Sequence, residues 1–572
     1  MDFNLEIGLI LLEELALIAL PAIAAALFGA ARGIRSPVLL VGLALTASGT
    51  AAMLVFWGFY AEPLIGKTLA YLVVFGAAAA IVSLWFEGRG RTALRELATP
   101  FSLWVLASFF VVFLGFLHGS SLEVLELASH RFSHMLPTDS EIPRFFAEWF
   151  YQHGHAGPPP QFPGDWLASD RPPLQIAYTL ALRPFGWDGR SLHYQLLAVA
   201  LQQLWVPAVW ALLRAARMSR RGAGLVLVAA MVSDIAIIHG FFVWPKLIAA
   251  AFLLAAAAIV FSPEWRRWTR DPRVGALFAA LCALAMLCHG SSVFLLIPLL
   301  IFAALRALPD WRWIALALAA ALLLLAPWSA YQRFADPPGN RLIKWQLGGS
   351  LEIDKRGSLQ TILDGYRKEG LSGSLENKWH NLTTMVGAGE VSGGISNAAE
   401  EIGEGHLGEA LETLRIMRFY ALLPCLGFLL LGLLAMALRS LLDRGGERGP
   451  EWAFALTGAG LCLAVCLFWA LVMFGNPISE TVIHQGTLAV PLLAICVCVA
   501  GAYASLPCFA TILVAANGLF VLALYTPVVT PPPGTSYSAV AATLAALALA
   551  GFCWISLRTP WVTAEGEYTA AC

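Results

Sequence analysis

The sequence predicts an all-α, polytopic membrane protein. Three observations predict it. Of its 572 residues, 59% are hydrophobic and 13% charged, against about 25% charged in a soluble domain. Mean hydropathy is +0.72. Apolar runs of roughly twenty residues, each long enough to cross a hydrocarbon core, recur along the chain. The net charge of −1 argues against a nucleic-acid partner.

The runs predict spans at about 7–31, 37–60, 66–86 and 99–118. They resume at about 192–214, 222–240, 244–261, 274–290, 291–306 and 312–331. The last five lie at about 416–440, 452–474, 486–505, 508–526 and 537–557. The total is about fifteen helices, in a GT-C-like arrangement once the resemblance below is considered.

Five regions follow. Residues 1–118 are N-terminal transmembrane helices and 119–191 a first outer loop. Residues 192–331 are core helices, 332–415 a second outer loop or cover, and 416–572 the C-terminal helices. The sequence shows no internal repeat.

Arginines set the orientation. They follow alternate spans: Arg32 and Arg35; Arg89, Arg91 and Arg95; Arg214, Arg217, Arg220 and Arg221; Arg266, Arg267, Arg270 and Arg273; Arg439, Arg444 and Arg448. The basic side is cytoplasmic. Both long polar loops therefore face the periplasm or exterior of an inner (plasma) membrane. The acidic start, Met1-Asp2-Phe3-Asn4-Leu5-Glu6, has no basic leader pattern.

Cysteines fall mostly inside apolar runs, for example Cys282, Cys425 and Cys508, without zinc or CxxC spacing. They read as small buried apolar side chains.

The first outer loop is the chemical centre of the sequence. Asp139 follows a Pro turn and precedes the aromatic run Phe145–Tyr151, an interfacial helix. A carboxylate there deprotonates a hydroxyl or holds a divalent ion, or it simply caps a helix together with Thr138 or Ser140. Asp170-Arg171-Pro172-Pro173-Leu174 then opens a second interfacial or re-entrant helix over 173–187. The two prolines fix its entry. Arg171 offers a planar fork suited to phosphate, or forms an exposed ion pair.

Lys246 begins a span at its outer end, where it either serves function or snorkels to the interface. Asp234, His239, His289 and His484 lie towards the same side, and Arg341 and Lys344 add positive charge near the membrane. His130 and His134 have helical spacing that suits zinc, without an HExxH pattern. No cofactor is expected, and a divalent metal has no positive support. In the second loop, Leu359–Tyr366 and Leu407–Leu414 read as amphipathic pieces around a Gly/Ser-rich part, Gly387 to Asn397. Asn381-Leu382-Thr383 matches a glycosylation sequon, a pattern common by chance.

In this order and sidedness the chain resembles the GT-C superfamily of membrane glycosyltransferases. It is most similar to the lipid A aminoarabinose transferases and protein O-mannosyltransferases. The resemblance covers about 120–350. It is carried by Asp139, by Asp170-Arg171-Pro172-Pro173-Leu174 through Phe185-Gly186, by His289-Gly290 in place of a Lys-Gly pair, and by Pro327-Trp328 followed by Arg341. Trp244-Pro245-Lys246 departs from it, putting a cation where relatives carry an acidic residue before proline. Three spans also precede the usual first helix.

The resemblance implies transfer of a sugar from a polyprenyl-phosphate donor to a lipid, glycan or protein acceptor at the outer face. Asp139 would then be the catalytic carboxylate, with Arg171 on the lipid phosphate. Asp170, Lys246, His289, Arg341, Lys344 and His484 would bind substrate. A transporter or flippase for lipid-linked sugars is the alternative from another class; a non-catalytic assembly factor is a third.

Overall fold

The computed structural model describes residues 3–86, 91–119, 123–132, 136–186, 191–352, 355–442, 448–475, 482–526 and 536–558. His134, Arg89, Arg444 and Trp187 lie outside the described residues.

The chain opens with α1 (Phe3–Ala31), α2 (Pro37–Ala61), α3 (Pro63–Phe86) and α4 (Arg91–Gly115). The first outer loop holds α5 (Val124–His130), α6 (Ile142–His153) and α7 (Leu174–Leu182). Then come α8 (Ser191–Gln202), α9 (Trp205–Ala215), α10 (Arg220–Met231), α11 (Asp234–Phe242) and α12 (Lys246–Phe261). A single turn, α13 (Trp265–Trp268), leads to α14 (Pro272–Cys288), α15 (Val293–Arg306) and α16 (Trp311–Ala330). The second outer loop is α17 (Arg341–Gly348), α18 (Ser358–Val386), α19 (Ala388–Gly403) and α20 (Leu407–Tyr420). The chain ends with α21 (Leu422–Leu426), α22 (Leu431–Leu442), α23 (Pro450–Val472), α24 (Ala489–Ser505), α25 (Pro507–Tyr525) and α26 (Ala539–Arg558). A two-residue antiparallel ladder joins His118–Gly119 to Ser536–Tyr537.

Among the described residues, ten helices are long and apolar enough to cross a membrane. The α10–α11 pair, bent by 51°, makes eleven if it counts as one broken span. Four shorter apolar helices, α12, α14, Gly290–Arg306 and α24, occupy further predicted positions. The protein is an all-α, multi-pass membrane protein.

α12 and α24 form the centre of the bundle, and nearly every side chain on them is buried. A helix apolar on all sides is stable only when surrounded. Close approach depends on glycine: a Cβ at Gly432 of α22 would sit 2.1 Å from the Cys498 carbonyl oxygen of α24. α2 packs on α7, α9, α12 and α14, so the N-terminal helices belong to the main body.

The basic loops meet at one end of the bundle. Arg217 pairs with Glu264 at 3.6 Å, and Ser219 N–H donates to Glu451 at 2.7 Å. The two polar loops gather at the other end, hereafter the site end. There His155 Nδ1 lies 2.8 Å from the Ala61 carbonyl oxygen, and Ser169 N–H donates to Asp336 at 2.9 Å.

The Gly/Ser-rich part of the second loop forms α19. Two expectations need correction. Helix α7 does not lie on a surface; eight of its nine side chains are buried. Cys508 is exposed and Cys553 half-buried.

Candidate functional site

Asp139 sits in a single 3-10 turn, Thr138–Glu141, that leads into α6. It does not cap α6: the residue before the helix is Glu141, and no side chain caps it. Its carboxylate instead meets Arg171 Nη2 at 3.1 Å. The two side chains are 17% and 12% exposed, so this is a largely buried pair rather than a surface one. It joins the two ends of the first outer loop, and Arg171's partner is Asp139 rather than the adjacent Asp170.

The Arg171 guanidinium also lies 4.1 Å from the Trp166 ring centre. The Arg341 guanidinium lies 4.3 Å from the same ring. Indole attracts cations through its ring face, and here it holds two. Arg171 Nε is buried without a hydrogen-bond partner. Arg341 is otherwise spent on backbone, donating to the carbonyls of Leu351 at 3.0 Å and Asp165 at 2.9 Å.

Asp170 faces inward. One carboxylate oxygen accepts from Leu167 N–H at 3.1 Å, and the other is buried and unpartnered. Burial pushes its carboxyl above the usual range, while the Leu167 bond and the Arg341 and Arg171 charges pull it back. Asp336, also raised by burial, accepts from Ser169 N–H. Gln332 completes the junction by donating to the Ser169 and Gly339 carbonyls at 2.9 and 3.0 Å.

Lys246 is the first residue of α12 and is 1% exposed, so it does not snorkel. Its ammonium donates to the His484 carbonyl and sits 3.8 Å from the Trp244 ring centre. Trp244 also meets the His289 and His484 rings, both at 5.8 Å. His289 Nδ1 lies 2.7 Å from Ser291 Oγ, which donates to the Gly486 carbonyl at 3.0 Å. His239 stacks on Phe419 at 5.2 Å, and both its ring nitrogens are unpartnered. Tyr194 and Gln175 link the Ser140 carbonyl, beside Asp139, to the Val243 carbonyl, just before Lys246. Four segments therefore converge: the Asp139 turn, the Arg171 turn, the start of α12 and the His484 turn.

A buried amide network holds this convergence. Between α11 and α12 the chain breaks at Val243, which has φ 56°. This turn between two apolar helices is buried, and its backbone groups need partners. Gln175 of α7 donates to the Val243 carbonyl at 3.0 Å and to Tyr194 at 2.8 Å. Tyr194 donates to the Ser140 carbonyl at 2.7 Å, beside Asp139. Gln202 accepts from Leu247 and Ile248 N–H at 3.2 and 3.3 Å. Gln195 donates to the Phe241 carbonyl at 2.6 Å. Sequence reasoning missed these residues. The available signal was amides in apolar stretches, Gln195 and Gln202 in the run 192–214 and Gln175 in the helix after Pro173, where polar side chains are rare and usually have a task.

Other candidates stay apart. Lys344 is buried inside the protein and adds no surface charge. Asp234 forms a buried pair with Arg418, with Nε 3.0 Å from both carboxylate oxygens, and accepts from Tyr525 at 2.9 Å. That is a structural clasp between α11, α20 and α25. His130 is exposed and bonded to its own helix. Among the described residues, no three His, Cys, Asp or Glu side chains group as metal ligands. Asn381 is 1% exposed, and its amide nitrogen caps the end of α23 through the Ala470 and Met473 carbonyls, at 3.1 and 3.0 Å. A sugar has no access to it in this fold.

The arrangement pairs the Asp139 carboxylate with Arg171 and places it near the buried Lys246, with Asp170 and Asp336 behind the Arg171 turn. Chemically it suits an anionic group with a protic neighbour. Comparison with protein-family models, with curated proteins and with solved structures gives no match.

Proposed function

We propose that the protein is an inverting glycosyltransferase of GT-C type that moves a sugar from a polyprenyl-phosphate donor to a lipid, glycan or protein acceptor. The reading also takes the four shorter apolar helices and the bent pair as spans, which makes fifteen. By the positive-inside rule it puts the site end at the periplasmic or outer face of the plasma membrane.

One observation carries the reading. Asp139 and Arg171 pair at 3.1 Å, and Tyr194 and Gln175 tie the Asp139 turn to the Val243 carbonyl just before buried Lys246. Donor phosphate binding would draw Arg171 away from Asp139 and release the carboxylate. Asp139 then takes the proton of the acceptor hydroxyl as its oxygen attacks the anomeric carbon. The bond from that carbon to the phosphate oxygen breaks, and polyprenyl phosphate leaves against Arg171 and Lys246. Stabilising that developing charge is the largest contribution. His289 and His484 fix the walls around Lys246. Asp170 and Arg341 hold Trp166 and the Arg171 turn in place.

The second reading, a flippase for lipid-linked sugars, has one observation in its favour. Broken helices are common in transporters, and α10–α11 bend by 51°. The polar groups gather at the site end, which favours chemistry. The test is transfer by correctly inserted Asp139→Ala and Arg171→Ala proteins. Loss of about 100-fold or more is expected; full activity in both would overturn the enzyme reading.

A further inference from the structure

Helix α1 carries two adjacent carboxylates, Glu13 and Glu14, inside an apolar span. Glu14 is 4% exposed and points into the bundle. Glu13 points outward and is exposed. Its neighbours on that outward face are Leu5, Leu9 and Leu12, about half exposed. Such a leucine stripe on a span is a hydrocarbon-facing surface, and Glu13 interrupts it.

Its depth follows from the helix. The Phe3 ring packs on Phe116 at 5.9 Å, where α4 leaves the bundle at the site end. Ten residues of α-helix carry Glu13 about 15 Å further in. That is half of a hydrocarbon core of about 30 Å. A carboxylate facing lipid at mid-depth is costly and has no water to reach.

We propose that the outer half of α1 is a docking face for a transmembrane helix of another membrane protein, one that presents a basic side chain to Glu13 at mid-bilayer depth. Charge selects the occupant. A second copy of this chain lacks the complement. Among the described residues, the exposed or half-buried Lys and Arg side chains of spans lie towards helix ends, among them Lys67, Arg95, Arg273, Arg306, Arg312, Arg333, Arg439 and Arg558. Two α1 helices would oppose Glu13 to Glu13. The inference does not depend on the chemistry proposed above.

The test uses the full chain in the membranes of its own cell. A photo-crosslinking residue is placed at Leu9 or Leu12, with Phe75 of α3, 64% exposed, as the control face. The expected result is a discrete polypeptide adduct from Leu9 and Leu12 and none from Phe75. Peptide sequencing should find Lys, Arg or His within an apolar segment of the partner. The adduct should fall at least tenfold in Glu13→Leu and persist in Glu13→Asp. The thermal midpoint of purified Glu13→Leu should match or exceed that of the parent, showing that the fold is intact. Lipid adducts alone, an adduct with a second copy, a partner segment without a basic residue, or an adduct indifferent to Glu13→Leu would each overturn the proposal.

Discussion

At the scale of single residues, the pairing of Asp139 with Arg171 matters more than either alone. A guanidinium forms two parallel bonds to phosphate, and an ammonium cannot. Arg171→Lys should therefore keep the charge yet lose roughly tenfold or more in turnover, with Arg171→Ala losing more. Steady-state transfer assays on the two variants check that order. Asp170 and Asp336 set a pH dependence. Burial raises both carboxyls above the usual range. The folded state thus holds protons that the unfolded chain has released. Their contribution to stability is complete below the ordinary aspartate value, about 3.9, and is lost as pH rises through the raised values. Asp336→Asn should flatten that decline, as read from thermal midpoints across the range. Asp139 and Arg171 were legible because charges bracketed by prolines stand out in an apolar chain. Trp166 and Asp336 were not, because their roles arise only when two distant loops meet.

At the scale of elements, the ten long apolar helices were legible from hydropathy, and the interruptions of the chain were not. Asp234 was noticed as polar, but its partners Arg418 and Tyr525 are far away in sequence. Removing one side of a buried ion pair leaves a charge without compensation. Asp234→Ala should cost about 3–5 kcal/mol, seen as a large fall in the thermal midpoint. Within α18, burial lowers the Lys378 amine to about 8. It donates to the Met473 carbonyl at the end of α23. The unfolded chain binds more protons between about 8 and the ordinary lysine value of about 10.4, so stability rises with pH across that window. Lys378→Met should remove the rise. The Gly/Ser-rich part is helical despite its low helix propensity, which is a weak prior, and α19 packs on α20.

At the scale of the whole molecule, sidedness was the strongest inference from sequence. Arginines in short loops predicted which loops share a side, and the two long polar loops meet at one end of the bundle. The role of the N-terminal helices was not legible, since packing partners of an apolar helix leave no mark in its composition. α2 supports the site directly, with Ser48 accepting from Tyr178 of α7 at 3.0 Å. The central claim is that this site cleaves a lipid-linked sugar rather than carrying it. The most direct measurement follows the purified protein in proteoliposomes given a sugar-labelled polyprenyl-phosphate donor and an acceptor fraction extracted from the envelope of its own cell. Stoichiometric release of polyprenyl phosphate with label moving to the acceptor, lost in Arg171→Ala, is the predicted result. Donor that crosses the bilayer with its sugar bond intact would contradict it.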